Sequence, residues 1–324
     1  MDALIARISR DFADMKEEIK TDEVVDQWPL LNPLIIASII IGYLVFTLKI
    51  GPEMMKGREP MGLKLPMIIY NAFQVIYNLW MFVAMFSTPG AITYLIDNVC
   101  EVTSDKPADN WGHPLYYAMC SFGWYYLVSK ILDLFDTIFF VLRKKQSHVT
   151  FLHVYHHASL VFVGWAFVKF IRGRQGVLIG FINAFVHTVM YFYYFLSALG
   201  DAVKPFLSWK PYITKIQLLQ FAFIIGYLSS LLFFDCQLPK VYSYYMLANG
   251  ILFFYLFLDF YQKTYGGGKK EAAPKRKRKT SDAHKPQKPV AIPGSDFFKV
   301  ITHGMSFMCF PGLQDELYND DDES

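Results

Sequence analysis

The chain has 324 residues, 54% hydrophobic and 18% charged, with a formal net charge of +3. That net charge says little by itself, and no nucleic-acid partner is expected. Arrangement says more: apolar residues come in blocks of about 20, the length a helix needs to cross a bilayer core, and seven such blocks leave too little polar surface for a soluble helical protein.

Residues 1–29 form an N-terminal segment. They are charged and lack an apolar h-region, so no cleavable leader is expected. Leu4, Ile5, Ile8, Phe12, Met15 and Ile19 share one helical stripe, which suits a short interfacial helix or an ordinary amphipathic packing helix. The membrane body covers residues 30–264. Its seven blocks lie at about 34–50, 66–87, 115–141, 150–168, 176–198, 212–234 and 241–261, each read as one crossing. Residues 265–324 form a tail: "PKRKRK", a Pro-rich stretch, a small apolar patch and the acidic "NDDDES". It reads as mostly disordered and suited to anionic lipid heads.

Ionisable groups inside a span are costly, so each needs a reason. Span three carries "KILDLFDT", with Lys130, Asp133, Asp136 and Thr137 on one helical side; a buried structural ion pair is the plain alternative. Span four opens with "TFLHVYHHAS", where His153, His156 and His157 cluster on one face. In span five, "NAFVHTVMYFYY" sets Asn183, His187, Met190, Tyr191 and Tyr194 on one stripe. In span six, "TKIQLLQ" sets Thr214, Gln217 and Gln220 on another; interhelical hydrogen bonding alone would also account for these.

Odd-numbered connections are basic: Lys56, Arg58 and Lys64, then Arg143, Lys144 and Lys145, then Lys204 and Lys210. The positive-inside rule puts the N-terminus in the lumen and the C-terminus in the cytosol. Lys169, Arg172 and Arg174 are the exception. On this topology the four polar stripes reach one depth, implying a polar chamber open to the cytosol. Cys100 and Cys236 then both lie on the lumenal side, where a disulfide between them is expected.

Two chemistries fit a histidine-lined chamber. One is a metal-dependent desaturase or hydroxylase. That reading has few imidazoles to draw on, since the chain has eight histidines in all and only one box, although Asp133 and Asp136 supply oxygens and a single zinc on His153, His157 and His187 is conceivable. The other uses imidazole as nucleophile and base on a thioester. The basic mouth at Arg143, Lys144, Lys145, Lys204 and Lys210 would hold a phosphate-bearing carrier such as coenzyme A.

"KILDLFDT", "FLHVYHH", "NAFVHTVMYFYY" and "TKIQLLQ", in this order and spacing, resemble the ELO family of very-long-chain fatty acid elongases over roughly residues 30–264. Two positions depart from the family's habit: Asp133 stands where Glu is usual, and His148 where Gln is common. His148 is assigned no catalytic part. The resemblance implies an all-α polytopic protein of the endoplasmic reticulum, with seven transmembrane helices, six of them surrounding an acyl tunnel. It implies condensation of acyl-CoA with malonyl-CoA to 3-oxoacyl-CoA, CO2 and CoA, with no metal or redox cofactor. His156 would attack the thioester. His153, His157 and Asp136 would orient the rings, with His187, Asn183 and Tyr191 near the developing charge. Lys130, Asp133, Tyr194, Gln217 and Gln220 would contribute to substrate binding. A separate ketoreductase, dehydratase and enoyl reductase would complete the cycle, and a homodimer is left open. The dilysine retention signal common in such chains is replaced here by "DDDES".

Overall fold

The computed structural model describes residues 24–97, 99–100, 114–171, 174–234, 236 and 240–266. The expected interfacial helix near residues 4–19, Lys106, Arg172 and the tail beyond 266 lie outside them, as do the side chains of Arg174 and Lys204. The described residues are helical: α1 Pro33–Met54, α2 Lys64–Ser87, α3 Ala91–Asp97, α4 Pro114–Leu142, α5 Phe151–Ile171, α6 Arg174–Leu199, α7 Lys210–Phe233 and α8 Lys240–Tyr265. All seven apolar blocks are helices. Six of these, among the described residues, are long and apolar enough to cross a membrane. The seventh, α4, is 29 residues long, about 43 Å at 1.5 Å per residue, but carries Lys130, Asp133 and Asp136 in its second half and so falls outside that class.

Local chemistry sets where key helices begin. Asn32 caps α1 by accepting from the Leu34 N–H at 2.9 Å, with Pro33 at the first helical position. Thr150 caps α5 by accepting from the His153 N–H at 3.2 Å. That cap fixes the histidine box within the first two turns of α5. At its other end α5 loosens into a π-turn, Phe167–Ile171, a form often found at functional positions.

Helices α2, α4, α5, α8, α7 and α6 follow one another as packed neighbours around a closed ring, and α1 lies outside it against α5. Inverted amphipathicity drives this arrangement. On α2 the buried face is Asn71, Gln74, Asn78, Met81 and Met85, while Leu65, Ile69, Ile76, Leu79 and Phe86 point outward and exposed. Apolar residues outside and polar residues inside suit a lipid surround, where backbone and polar side chains must be satisfied internally. The chain is a multi-pass membrane protein.

Between Val24 and Asn32 the chain straps one end of the bundle. Val25 and Leu31 are fully buried. Trp165 Nε1 donates to the Leu31 carbonyl at 3.0 Å and Trp124 Nε1 to that of Pro29 at 2.7 Å. Lys169, one of the three basic residues that break the charge pattern of the connections, is ion-paired with Asp26 at 2.9 Å. Cys100 and Cys236 are joined by a disulfide, linking the connection before α4 to the one between α7 and α8.

Candidate active site

The box faces inward, with all three rings in the wall of one cavity. The His153 and His157 rings are 4.3 Å apart and those of His156 and His157 are 5.7 Å apart. His156 meets Phe253 edge-on at 4.7 Å. His156 Nδ1 and His153 Nε2 are buried without a hydrogen-bond partner. Buried polar atoms without partners are uncommon and call for an explanation.

Behind the box, α4 and α6 meet in an ionic network. Lys130 Nζ donates to Asp133 Oδ2 at 2.7 Å and Asn183 Oδ1 at 3.0 Å, and lies 3.3 Å from His187 Nδ1. An ammonium has hydrogens to give and no lone pair. Its contacts therefore orient the Asn183 amide with the oxygen inward and favour a His187 whose Nδ1 accepts. Asp133 Oδ1 accepts from Gln74 Nε2 and from the Tyr191 hydroxyl, each at 2.9 Å. The same hydroxyl reaches Asp136 Oδ2 at 2.7 Å, so two carboxylates share one phenolic hydrogen.

Two cavities occupy the ring. The upper is lined from all six ring helices, including Asn71 (α2), Asp136 (α4), His153, His156 and His157 (α5), His187 and Tyr194 (α6), Thr214 and Gln217 (α7) and Phe257 (α8); Arg143, Lys145, His148 and Lys210 also line it. The lower is apolar: Met81, Phe122, Val163, Phe167, Phe181 and Phe253 contribute, five glycines widen it, and Asn183 and Gln220 are among its few polar members. His156 is the one described residue common to both walls.

Most of the expected residues are thus brought together, but at three depths. His153, His156, His157, His187, Asp136, Tyr194, Gln217, Arg143, Lys145 and Lys210 line the upper cavity. Asn183 and Gln220 line the lower one. Lys130, Asp133 and Tyr191, expected at the substrate, line neither and are sealed in the network behind. Lys144 is exposed, in a left-handed turn at φ 58°. Thr137 leaves the expected stripe: its hydroxyl pairs with that of Tyr43 on α1 at 2.8 Å, because α4 meets α6 at one level and α1 at another.

Tyr70 and Asn71 join the site without having been expected there, and His148, assigned no part from the sequence, stands in its wall. Tyr70 donates to the Leu132 carbonyl and accepts from Gln74 Nε2 at 3.0 Å. A signal was available for part of this set, since Asn71, Gln74 and Asn78 recur at helical spacing inside an apolar block. Among the described residues, no three His, Cys, Asp or Glu side chains are grouped to hold a metal ion.

A family profile described as ELO, the GNS1/SUR4 family, matches residues 28–276. A very long chain fatty acid elongase of Aedes aegypti is 36% identical over 253 residues, 78% of this chain and 69% of that one. Very long chain fatty acid elongase 4 of Homo sapiens is 38% identical over 255 residues, 78% and 79% of the two chains. Very long chain fatty acid elongase 7 of Rattus norvegicus is 38% identical over 253 residues, covering 77% and 87%.

Proposed function

The chain belongs to the ELO (GNS1/SUR4) family, and from that membership we propose that it is a condensing enzyme of very-long-chain fatty acid elongation, joining a long-chain acyl-CoA to malonyl-CoA to give 3-oxoacyl-CoA, CO2 and CoA. The observation that carries the reading is the place of His156 in the walls of both cavities. An acyl tail in the apolar lower cavity and a coenzyme in the polar upper one would bring the thioester carbon to this ring.

A His156 nitrogen attacks that carbon, the C–S bond breaks, and CoA leaves through the upper cavity with the acyl group held on the imidazole. Malonyl-CoA enters and its carboxylate departs as CO2. The electron pair left on the α carbon attacks the acyl carbon, the C–N bond breaks, and His156 is restored. Loss of CO2 drives the step, so the reaction calls for no metal or redox cofactor. With its oxygen held by Lys130, the Asn183 amide has N–H donors left for a developing oxyanion. His153 and His157 set the box ring, and His187 acts from the facing helix. Lys130, Asp133, Asp136 and Tyr191 position these groups.

Arg143, Lys145 and Lys210 suit the phosphates of CoA. The reading extends to seven crossings, with α4 shielded within the ring, the N-terminus lumenal, the C-terminus cytosolic and residence in the endoplasmic reticulum. A disulfide at Cys100–Cys236 is consistent with an oxidising lumen on that side. Separate reductase and dehydratase enzymes would finish the cycle. The test is intact mass after incubation with acyl-CoA alone: an acyl adduct is expected, absent in His156→Ala. An adduct mapped to another residue, or product formation that requires iron and oxygen, overturns the mechanism.

A further inference from the structure

Phe167 is the last α5 residue in the wall of the lower cavity. Along α5 its wall runs His156, Ser159, Leu160, Val163, Gly164 and Phe167. Eleven residues separate the first from the last, about 16 Å of helix. The Phe167 side chain packs into a buried cluster with Ile171, Ile224, Leu228, Leu231 and Cys236, of which Ile224 also lines the cavity. The ring lies directly over Gly176 at the start of α6, so closely that a Cβ there would overlap its edge. Both residues line the cavity.

We infer that Phe167, seated on Gly176, is the floor of the acyl cavity and sets the longest acyl chain the protein extends. This rests on the reading that the lower cavity holds the acyl tail. The backbone beneath the ring is held from two sides. Phe167 opens the π-turn of α5, which the neighbouring Lys169–Asp26 ion pair ties to the N-terminal strap. Cys236, in the cluster under the ring, is tied by its disulfide to Cys100. A side chain added at Gly176 would push the ring toward the open side, into the cavity, because the cluster side is filled. A smaller side chain at Phe167 would deepen the cavity without touching His156.

Purified protein in detergent, given malonyl-CoA and saturated acyl-CoAs of graded length, tests this by product mass. Phe167→Ala should extend acyl-CoAs at least two carbons longer than the parent accepts, raising the yield from the parent's longest substrate about tenfold. Gly176→Ala should shift the profile the other way. Should Phe167→Ala fail to give a monodisperse protein, Phe167→Leu carries the same expectation to a smaller degree. Leu228→Ala, in the same cluster but outside the cavity wall, should leave the profile unchanged. An active Phe167 variant with the parent's profile overturns the inference, and so does equal lengthening by Leu228→Ala, which would indicate general loosening. If the unaltered protein makes no 3-oxoacyl product at any length, the condensing function fails and the floor falls with it.

Discussion

The Tyr191 hydroxyl donates to Asp136 Oδ2 across 2.7 Å, tying a carboxylate in the upper cavity wall to Asp133 and Lys130, which line neither cavity. Through Asp133, Lys130, Asn183 and His187, that bond connects the α4 stripe to the α6 stripe behind the histidine box. Several outcomes depend on this division between groups that face substrate and groups that hold them.

Lys130 and Asp133 are 1% and 2% exposed, and breaking one side of a buried pair costs about 3–5 kcal/mol. Lys130→Met should therefore lower the thermal midpoint sharply in detergent. Adding Asp133→Leu removes the stranded charge and should recover most of that stability, while condensation stays low because Asn183 and His187 still lack their shared donor. A double variant with parental turnover would make the pair structural only.

Tyr191→Phe removes a hydrogen bond to charged acceptors, worth about 1.5–3 kcal/mol. Since Tyr191 lines neither cavity, kcat should fall while KM for acyl-CoA changes little. Steady-state kinetics across acyl-CoA concentrations separates the two, and a pure KM effect would put the phenol at the substrate.

Lys145 and Lys210 line the mouth, whereas Lys144 is exposed and apart. Lys145→Ala and Lys210→Ala should each raise KM for both CoA substrates about tenfold, the scale of one charge-assisted contact. The difference should narrow as salt is added. Lys144→Ala should stay within about twofold of the parent.

The Cys100–Cys236 disulfide closes a sequence separation of 136 residues, and loss of such a bond costs about 2–4 kcal/mol. Cys236→Ser should melt earlier than the parent, and reductant should lower the parent's midpoint toward the variant's without moving the variant's own. Equal effects of reductant on both would point to a different thiol.

Cys309, in the tail, should react with a membrane-impermeant maleimide in sealed microsomes without permeabilisation. Labelling only after permeabilisation would invert the proposed topology.

Much of the helical framework could be read from the chain. Seven apolar blocks became seven helices, and the Thr150 cap that places the box precedes it directly in sequence. The α2 row of Asn71, Gln74 and Asn78 is equally periodic and buried, but an uncharged amide in a span is also accounted for by interhelical hydrogen bonding, so its spacing alone marks no site. The spacing of Lys130, Asp133 and Tyr191 gives the side of the helix they occupy and not what stands on it, and the structure puts them behind the cavity walls. Thr137 shares that side with Lys130 yet meets α1.

The sequence by itself determined local matters: helix lengths, caps, charge placement and the grouping of polar residues on stripes, all of which follow from the helical repeat and the neighbouring residues. Only the tertiary structure decided that His156 stands between two cavities, that Lys130 and Asp133 are sealed behind them, and that Phe167 rests on Gly176. Those relations depend on how each helix is rotated and which helix faces it at a given depth. Packing among segments far apart in sequence sets both, as between Tyr70 and Tyr191, 121 residues apart, and no local pattern encodes them.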